Sequence, residues 1–153
     1  MGHCCCSSSS SPQIQYFFSQ TEGTLPVPFG AGVETTVLTL PVTTAFDLQN
    51  VKLDYAVQLA FSISQGSSNV DHGVRVRLRR NGILLATQTF QQSGARNSSS
   101  AAVRREQIPN TWGDSGSLAG VNTYTVTVEY FQRANSTTTL SVETRSLNAI
   151  VFD

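Results

Sequence analysis

Between Asn50 and Ser64 the chain reads NVKLDYAVQLAFSIS. Val51, Leu53, Tyr55, Val57, Leu59, Phe61 and Ile63 occupy the odd positions, and Lys52, Asp54, Ala56, Gln58, Ala60 and Ser62 lie between them. This period of two, with no match to helical spacing, predicts a long half-buried strand. VRVRLRRNGILLATQTF (Val74 to Phe90) predicts a hairpin, with Val74, Val76 and Leu78 inward, Arg75, Arg77 and Arg79 outward, and Asn81-Gly82 as the tight turn. TYTVTVEYF (Thr123 to Phe131) alternates with Tyr124, Val126, Val128 and Tyr130 on one face. TLSVETRSLNAIVF alternates and then closes on a continuous apolar Ala149 to Phe152, which predicts a central strand buried on both faces. TTVLTLPV (Thr35 to Val42) predicts a shorter strand closed by Pro41. SSNVDHG reads as a glycine-flanked turn, and QQSGARNSSSAAVRRE and PNTWGDSGSLAGVN read as Gly-, Ser- and Asn-rich loops. No helix of useful length is legible. The class is all-β, a jelly-roll sandwich of about eight to ten antiparallel strands.

Residues 1–20 differ from the rest. They run MGHCCCSSSSSPQIQYFFSQ and read as a flexible connector: a thiol cluster, a serine linker ending at Pro12 and an apolar docking segment. Residues 21–153 form the jelly-roll domain. Only 13% of residues are charged, and ten basic residues balance ten acidic ones. No whole-molecule field draws the chain to nucleic acid or an anionic membrane. No apolar run is long enough to span a bilayer. No secretion signal is legible, so the expectation is a chain that stays in its compartment of synthesis until another route or lysis releases it.

Candidate chemistry is thin. Gly113-Asp114-Ser115-Gly116 matches the tetrapeptide around the nucleophile of trypsin-like proteases, but that chemistry needs a histidine base and an orienting aspartate. Outside the connector only His72 is available. A Gly-Ser loop explains the tetrapeptide better, so no catalytic site and no enzyme activity are assigned. His3 with Cys4, Cys5 and Cys6 is too tightly spaced to wrap one zinc, and the acidic residues are scattered. No metal or cofactor is called for. Arg75, Arg77 and Arg79, extended by Arg80, form a stripe that reads as a solvated face or an ion-paired subunit contact. Asn97-Ser98-Ser99 and Asn135-Ser136-Thr137 match the glycosylation pattern and read as loop tips.

The three cysteines are the only ones in the chain. Adjacent side chains on an extended backbone diverge, while a disulfide needs them to converge. Partners are therefore thiols of other copies, the alternative being a free cluster in a reducing cytosol. Ile14, Tyr16 and Phe18 alternate like a strand, with Phe17 beside them. From Cys6 to Thr21 the chain extends at most about 50 Å at roughly 3.3 Å per residue, enough to cross a neighbouring body about 36 Å wide. Burying four such side chains returns roughly 6–12 kcal/mol. Ordering each residue costs about 1–2 kcal/mol, so several tails acting together, locked by disulfides, are needed for a firm joint. The alternative for QIQYFF is the first edge strand of its own body.

The body, through NVKLDYAVQLAFSI, VRVRLRRNGILLATQTF, TYTVTVEYF and SLNAIVFD, resembles the jelly rolls of tumour necrosis factor and of the heads of complement's collagen-tailed recognition protein. That resemblance implies a trimer. The connector, with its adjacent cysteines, resembles that of the endospore appendage (Ena) subunits of spore-forming Bacillus relatives, and PQIQ followed by apolar residues resembles the leader of exosporium surface proteins. Together these imply a fibre subunit made in the mother cell and exposed on the spore surface, with trimers stacked head to tail. In such a fibre Cys4, Cys5 and Cys6 bond between chains, and Ile14, Tyr16, Phe17 and Phe18 dock on a neighbour. Its ends have room for an exosporium anchor protein and a tip protein. Two departures stand out: the body has no cysteine to receive the connector, and the chain lacks Gly-X-Y repeats. The rival reading is a trimeric surface head that binds carbohydrate or protein, with Trp112 as its candidate contact.

Overall fold

The computed structural model describes residues 14–66, 69–96, 100–134 and 138–152. Nine strands follow in order: β1 (Gln15–Thr21), β2 (Leu25–Val27), β3 (Glu34–Thr44), β4 (Asn50–Ile63), β5 (Asn69–Arg80), β6 (Ile83–Ala95), β7 (Ala102–Asp114), β8 (Gly120–Arg133) and β9 (Thr139–Phe152). They make two antiparallel sheets. One runs β1-β9-β4-β7, with β2 also on β9, and the other runs β3-β8-β5-β6. β1 and β2 pair with successive stretches of β9, so they act as one interrupted strand. Eight strands with this order, in which every connection but the β5–β6 hairpin and the β1–β2 break changes sheet, are a jelly roll.

The alternation explains the sandwich. The odd residues of β4 from Val51 to Ile63 are buried, as are Val74, Val76 and Leu78 of β5 and Tyr124, Val126, Val128 and Tyr130 of β8. Leu147, Ala149 and Val151 of β9 join the β4 residues on the inner face of their sheet, against β5 and β8 of the other. Asn81 (φ 48°) and Gly82 (φ 82°) make the hairpin turn. The Asn81 amide donates to the Thr123 carbonyl at 2.8 Å, and its side chain accepts from the Thr123 amide at 2.8 Å, which ties the turn to β8. Buried Arg145 clips the β1–β2 break to β3, donating to the carbonyls of Gly23 and Val37 at 2.9 Å each.

Several sequence expectations change. Pro41 does not close β3, which continues to Thr44. As an edge strand of its sheet β3 tolerates a residue without an amide hydrogen. β9 is central, but Ile150 and Phe152 lie on the outer face and are not fully buried. SSNVDHG is not a turn throughout, since β5 already begins at Asn69. The largest difference is β7, which runs through both segments expected to be loops. Its inward positions, matched to Leu59, Phe61 and Tyr55, carry Glu106, Arg104 and Asn110. Ile108, matched to Val57, reaches the core, but the polar residues on either side of it and the edge-tolerated Pro109 break the apolar alternation that marks interior strands.

Candidate assembly surface

The sandwich has two ends. The near end carries loop 45–49, the turn at Asn81-Gly82 and loop 115–119, together with the start of β1 and the finish of β9. The far end carries loop 28–33, the finish of β4 and β8, and the start of β7 and β9. They are about 46 Å apart along β4 at roughly 3.3 Å per residue.

The segment expected to enter a neighbour is seated as β1 on the edge of the chain's own sheet, from Gln15 opposite Val151 to Thr21 opposite Arg145. This is the edge-strand alternative, and the expected connector boundary at residue 20 falls inside the strand. Phe17 faces in and packs against the core, which fixes the strand. Ile14, Tyr16 and Phe18 face out; Tyr16 is 61% and Phe18 66% exposed, and their rings stack at 6.0 Å. Tyr16 lies opposite Ile150, so an apolar stripe runs along the outer face beside the point where the N-terminal residues join the body. With β1 seated, the tether from Cys6 to Ile14 spans at most about 26–29 Å. Cys4, Cys5 and Cys6, the serine linker and the two glycosylation matches at Asn97 and Asn135 lie outside the described residues.

The arginine stripe is ion-paired within the chain, three guanidinium groups sharing two carboxylates. Arg75 and Arg77 both reach Glu129, at 3.3 and 2.6 Å, while Arg77 and Arg79 reach Glu34 at 3.0 and 2.8 Å. Arg75 also lies 4.0 Å over the Phe131 ring. Glu129 is only 1% exposed although it sits on the outer face, because the 28–33 loop covers it and the Gly32 amide donates to it at 2.7 Å. Burial pushes the Glu129 carboxyl up, but the Gly32 amide and the two arginines outweigh that and hold it below the usual range. Glu34 is likewise held low, with burial opposed by Thr127, Arg79 and Arg77. Arg80 belongs to the inward set by parity, and it leaves the stripe to meet Asp114 at 2.7 Å.

That pairing settles the GDSG tetrapeptide. Asp114 is buried and accepts hydrogen bonds from Arg80, from the Tyr124 hydroxyl at 2.8 Å and from the Gly116 amide at 3.0 Å. It is a loop anchor. Ser115 is exposed at the near end, whereas His72 lies toward the far end of β5, opposite Arg133. The two are about 26 Å apart along the strand direction at roughly 3.3 Å per residue, so no nucleophile–base pair forms. Among the described residues no group of three metal-ligating side chains converges.

His72 is a core aromatic. It stacks on Phe61 at 3.8 Å and is 1% exposed, and neither ring nitrogen has a partner of good hydrogen-bond geometry among the described residues, with Gln92 opposite it across the β5–β6 pair as the nearest candidate. Burial, reinforced by Arg104, pushes its pKa down, while Glu106, Asp71 and Gln92 oppose. The unfolded chain takes up a proton near pH 6.5 that the folded chain resists. Stability present above that pH is therefore lost as pH falls through it, at up to about 1.4 kcal/mol per pH unit. His72→Phe is expected to abolish that decline and to leave stability at pH 7.5 unchanged or higher. Urea melts across pH 7.5 to 5 read this directly; an identical decline in the variant contradicts it.

Comparison with known proteins supports the architecture. No protein-family model matches the chain, and no curated protein matches it by sequence. A chain in the structure of infectious bursal disease virus Gx strain superposes with a TM-score of 0.51 at 13% identity, covering 96% of this chain and 33% of that one. The VP2 subviral particle of the same virus gives 0.48 at 11% identity over 96% of this chain and 34% of that one. Dimeric latent PorU from Porphyromonas gingivalis gives 0.46 at 14% identity over 99% and 14%. The chain thus spans about a third or less of the length of these similar structures. The first likeness is one of fold: this is an all-β jelly-roll sandwich.

Proposed function

We propose that this chain is a structural subunit of a self-assembling extracellular fibre on the bacterial endospore surface. In this reading trimers stack head to tail through their N-terminal connectors, and disulfides among Cys4, Cys5 and Cys6 reinforce each joint. Its ends meet an exosporium anchor protein and a tip protein. One observation carries the reading. Every thiol of the chain lies at residues 4–6, while the body holds none. The segment bearing them joins the body beside an exposed apolar stripe. Phe17 holds β1 on its own core, and Ile14, Tyr16 and Phe18 present the face that a neighbour covers. A jelly roll serves readily as a building block of shells, and the fold by itself implies no chemistry.

Non-reducing gels of the oxidised protein are expected to show covalent trimers, because the tails of one trimer meet each other first. Cys→Ala at all three positions should abolish them and leave the body folded. Oxidised protein that runs only as monomer overturns the reading. An unlimited ladder places the bonds between successive trimers instead. The rival reading, a surface head that binds carbohydrate or protein, draws on Trp112, which is 39% exposed on edge strand β7. Loss of glycan or protein capture on Trp112→Ala is its test.

A further inference from the structure

Each sheet has two edges, formed by β1 with β2 and by β7 in one sheet, and by β3 and β6 in the other. An open edge invites a further strand unless proline, charge, a bulge or a break blunts it. Three of the four are blunted. The β1–β2 edge is broken at 22–24 and carries Pro26. β3 carries Pro41 and a bulge between Thr36 and Leu38. β7 carries Pro109 and the charges of Arg104, Arg105 and Glu106. β6, ILLATQTFQQSGA, holds neither charge nor proline, and from Ala86 to Ala95 it pairs with β5 without a bulge. The internal stretches outside the described residues are two or three residues long, too short to cover such an edge. Residues 1–13 lead into β1, which packs beside β3 on the opposite flank of the sandwich.

The occupant of this edge must continue a sheet with an unbroken ladder. Among the described edges of a second copy only β6 offers that over such a length, since the others carry a proline. Two identical strands pair antiparallel about a twofold axis, and the charges of β7 place the axis. Arg104 is matched to Phe61 on β4, Phe61 stacks on His72 at 3.8 Å, and His72 is matched to Gln92 on β6. Arg104 therefore stands level with Gln92, and both line one cleft of about 280 Å³. Glu106 stands two residues further along β7, level with Phe90. An axis between them, at Gln91, directs Arg104 of each copy toward Glu106 of the other. Both side chains are accessible at the mouth, 43% and 24% exposed. The same axis lays Gln91 against its own counterpart and Thr89 against Ser93, so no like charges meet along the ladder. Arg75 and Arg77 stay one strand back, each already held by Glu129.

We propose that β6 is a lateral assembly edge: two copies join their β6 strands antiparallel about an axis at Gln91, and Arg104 and Glu106 pair reciprocally across it. The contact is isologous, so it closes on two copies and sets them side by side. It uses neither the cysteines nor the connector, and it stands or falls apart from the fibre reading.

The test is sedimentation equilibrium of the full-length chain in reductant. Arg104→Glu and Glu106→Arg should each weaken association at least about tenfold, because like charges then meet twice across the axis. An equimolar mixture of the two variants should recover it, since every facing pair is again opposite in sign; a mere loss of folding could not produce that recovery. Gln91→Lys keeps a donor for the Gln132 carbonyl of its own body, so its urea melt should be unchanged while association weakens at least about tenfold. If the mixture associates no better than either variant alone, or if the charge changes leave association intact, the β6 contact is overturned. Reduced protein that stays monomeric at high concentration overturns it too. If that same protein forms covalent trimers on oxidation, the connector reading stands without it.

Discussion

Replacing Asp114 with alanine is expected to lower the stability of the body by about 3–5 kcal/mol, the range for stranding one member of a buried ion pair. The Arg80 side chain is 13% exposed and lies 2.7 Å from the carboxylate, so its charge is left largely unsolvated when Asp114 is removed. The same change unties the Tyr124 hydroxyl and the Gly116 amide, and with them the loop that carries Leu118. Adding Arg80→Met to the Asp114→Ala chain should recover part of the loss, because the stranded charge goes with it. Urea denaturation followed by the fluorescence of the single tryptophan measures both. Simple additivity of the two losses contradicts the buried pair.

Glu129→Ala is expected to cost about 3 kcal/mol or more at neutral pH, since it leaves Arg77 and Arg75 without their shared carboxylate on the covered outer face. The sign of the pH dependence follows from its lowered pKa. The folded carboxylate resists protonation that the unfolded one accepts near pH 4.3, so its contribution is complete above that pH and is lost as pH falls below it. The gap between the unaltered chain and the variant should therefore narrow from pH 7 to pH 3. A constant gap means that packing, not charge, holds the 28–33 loop. The native chain should thus weaken twice in acid, first through His72 below about pH 6.5 and then through Glu129 and Glu34 below about pH 4.3.

The interior strands were legible because the period-two alternation of β4, β5 and β8 answers to burial against a facing sheet, and their odd or even residues are the ones found buried. β7 was hidden for the opposite reason. Its inward residues Arg104, Glu106 and Asn110 line an open mouth, where polar side chains reach water from an inner face. The arginines of β5 could be placed outward by parity, but their partners Glu34 and Glu129 are 43 or more positions away in sequence, so the ion pairing is a property of the β3–β8–β5 register alone. QIQYFF read first as a docking segment, with an edge strand of its own body as the alternative. The fold seats it as β1, with one aromatic inward and two outward.

Negative-stain electron microscopy of the full-length protein, oxidised and then reduced, tests the account most directly. Long filaments with a regular repeat near the length of the body, about 46 Å at roughly 3.3 Å per residue of β4, are the predicted result, with joints that loosen on reduction. Discrete particles and no filaments at high protein concentration in either state would contradict it.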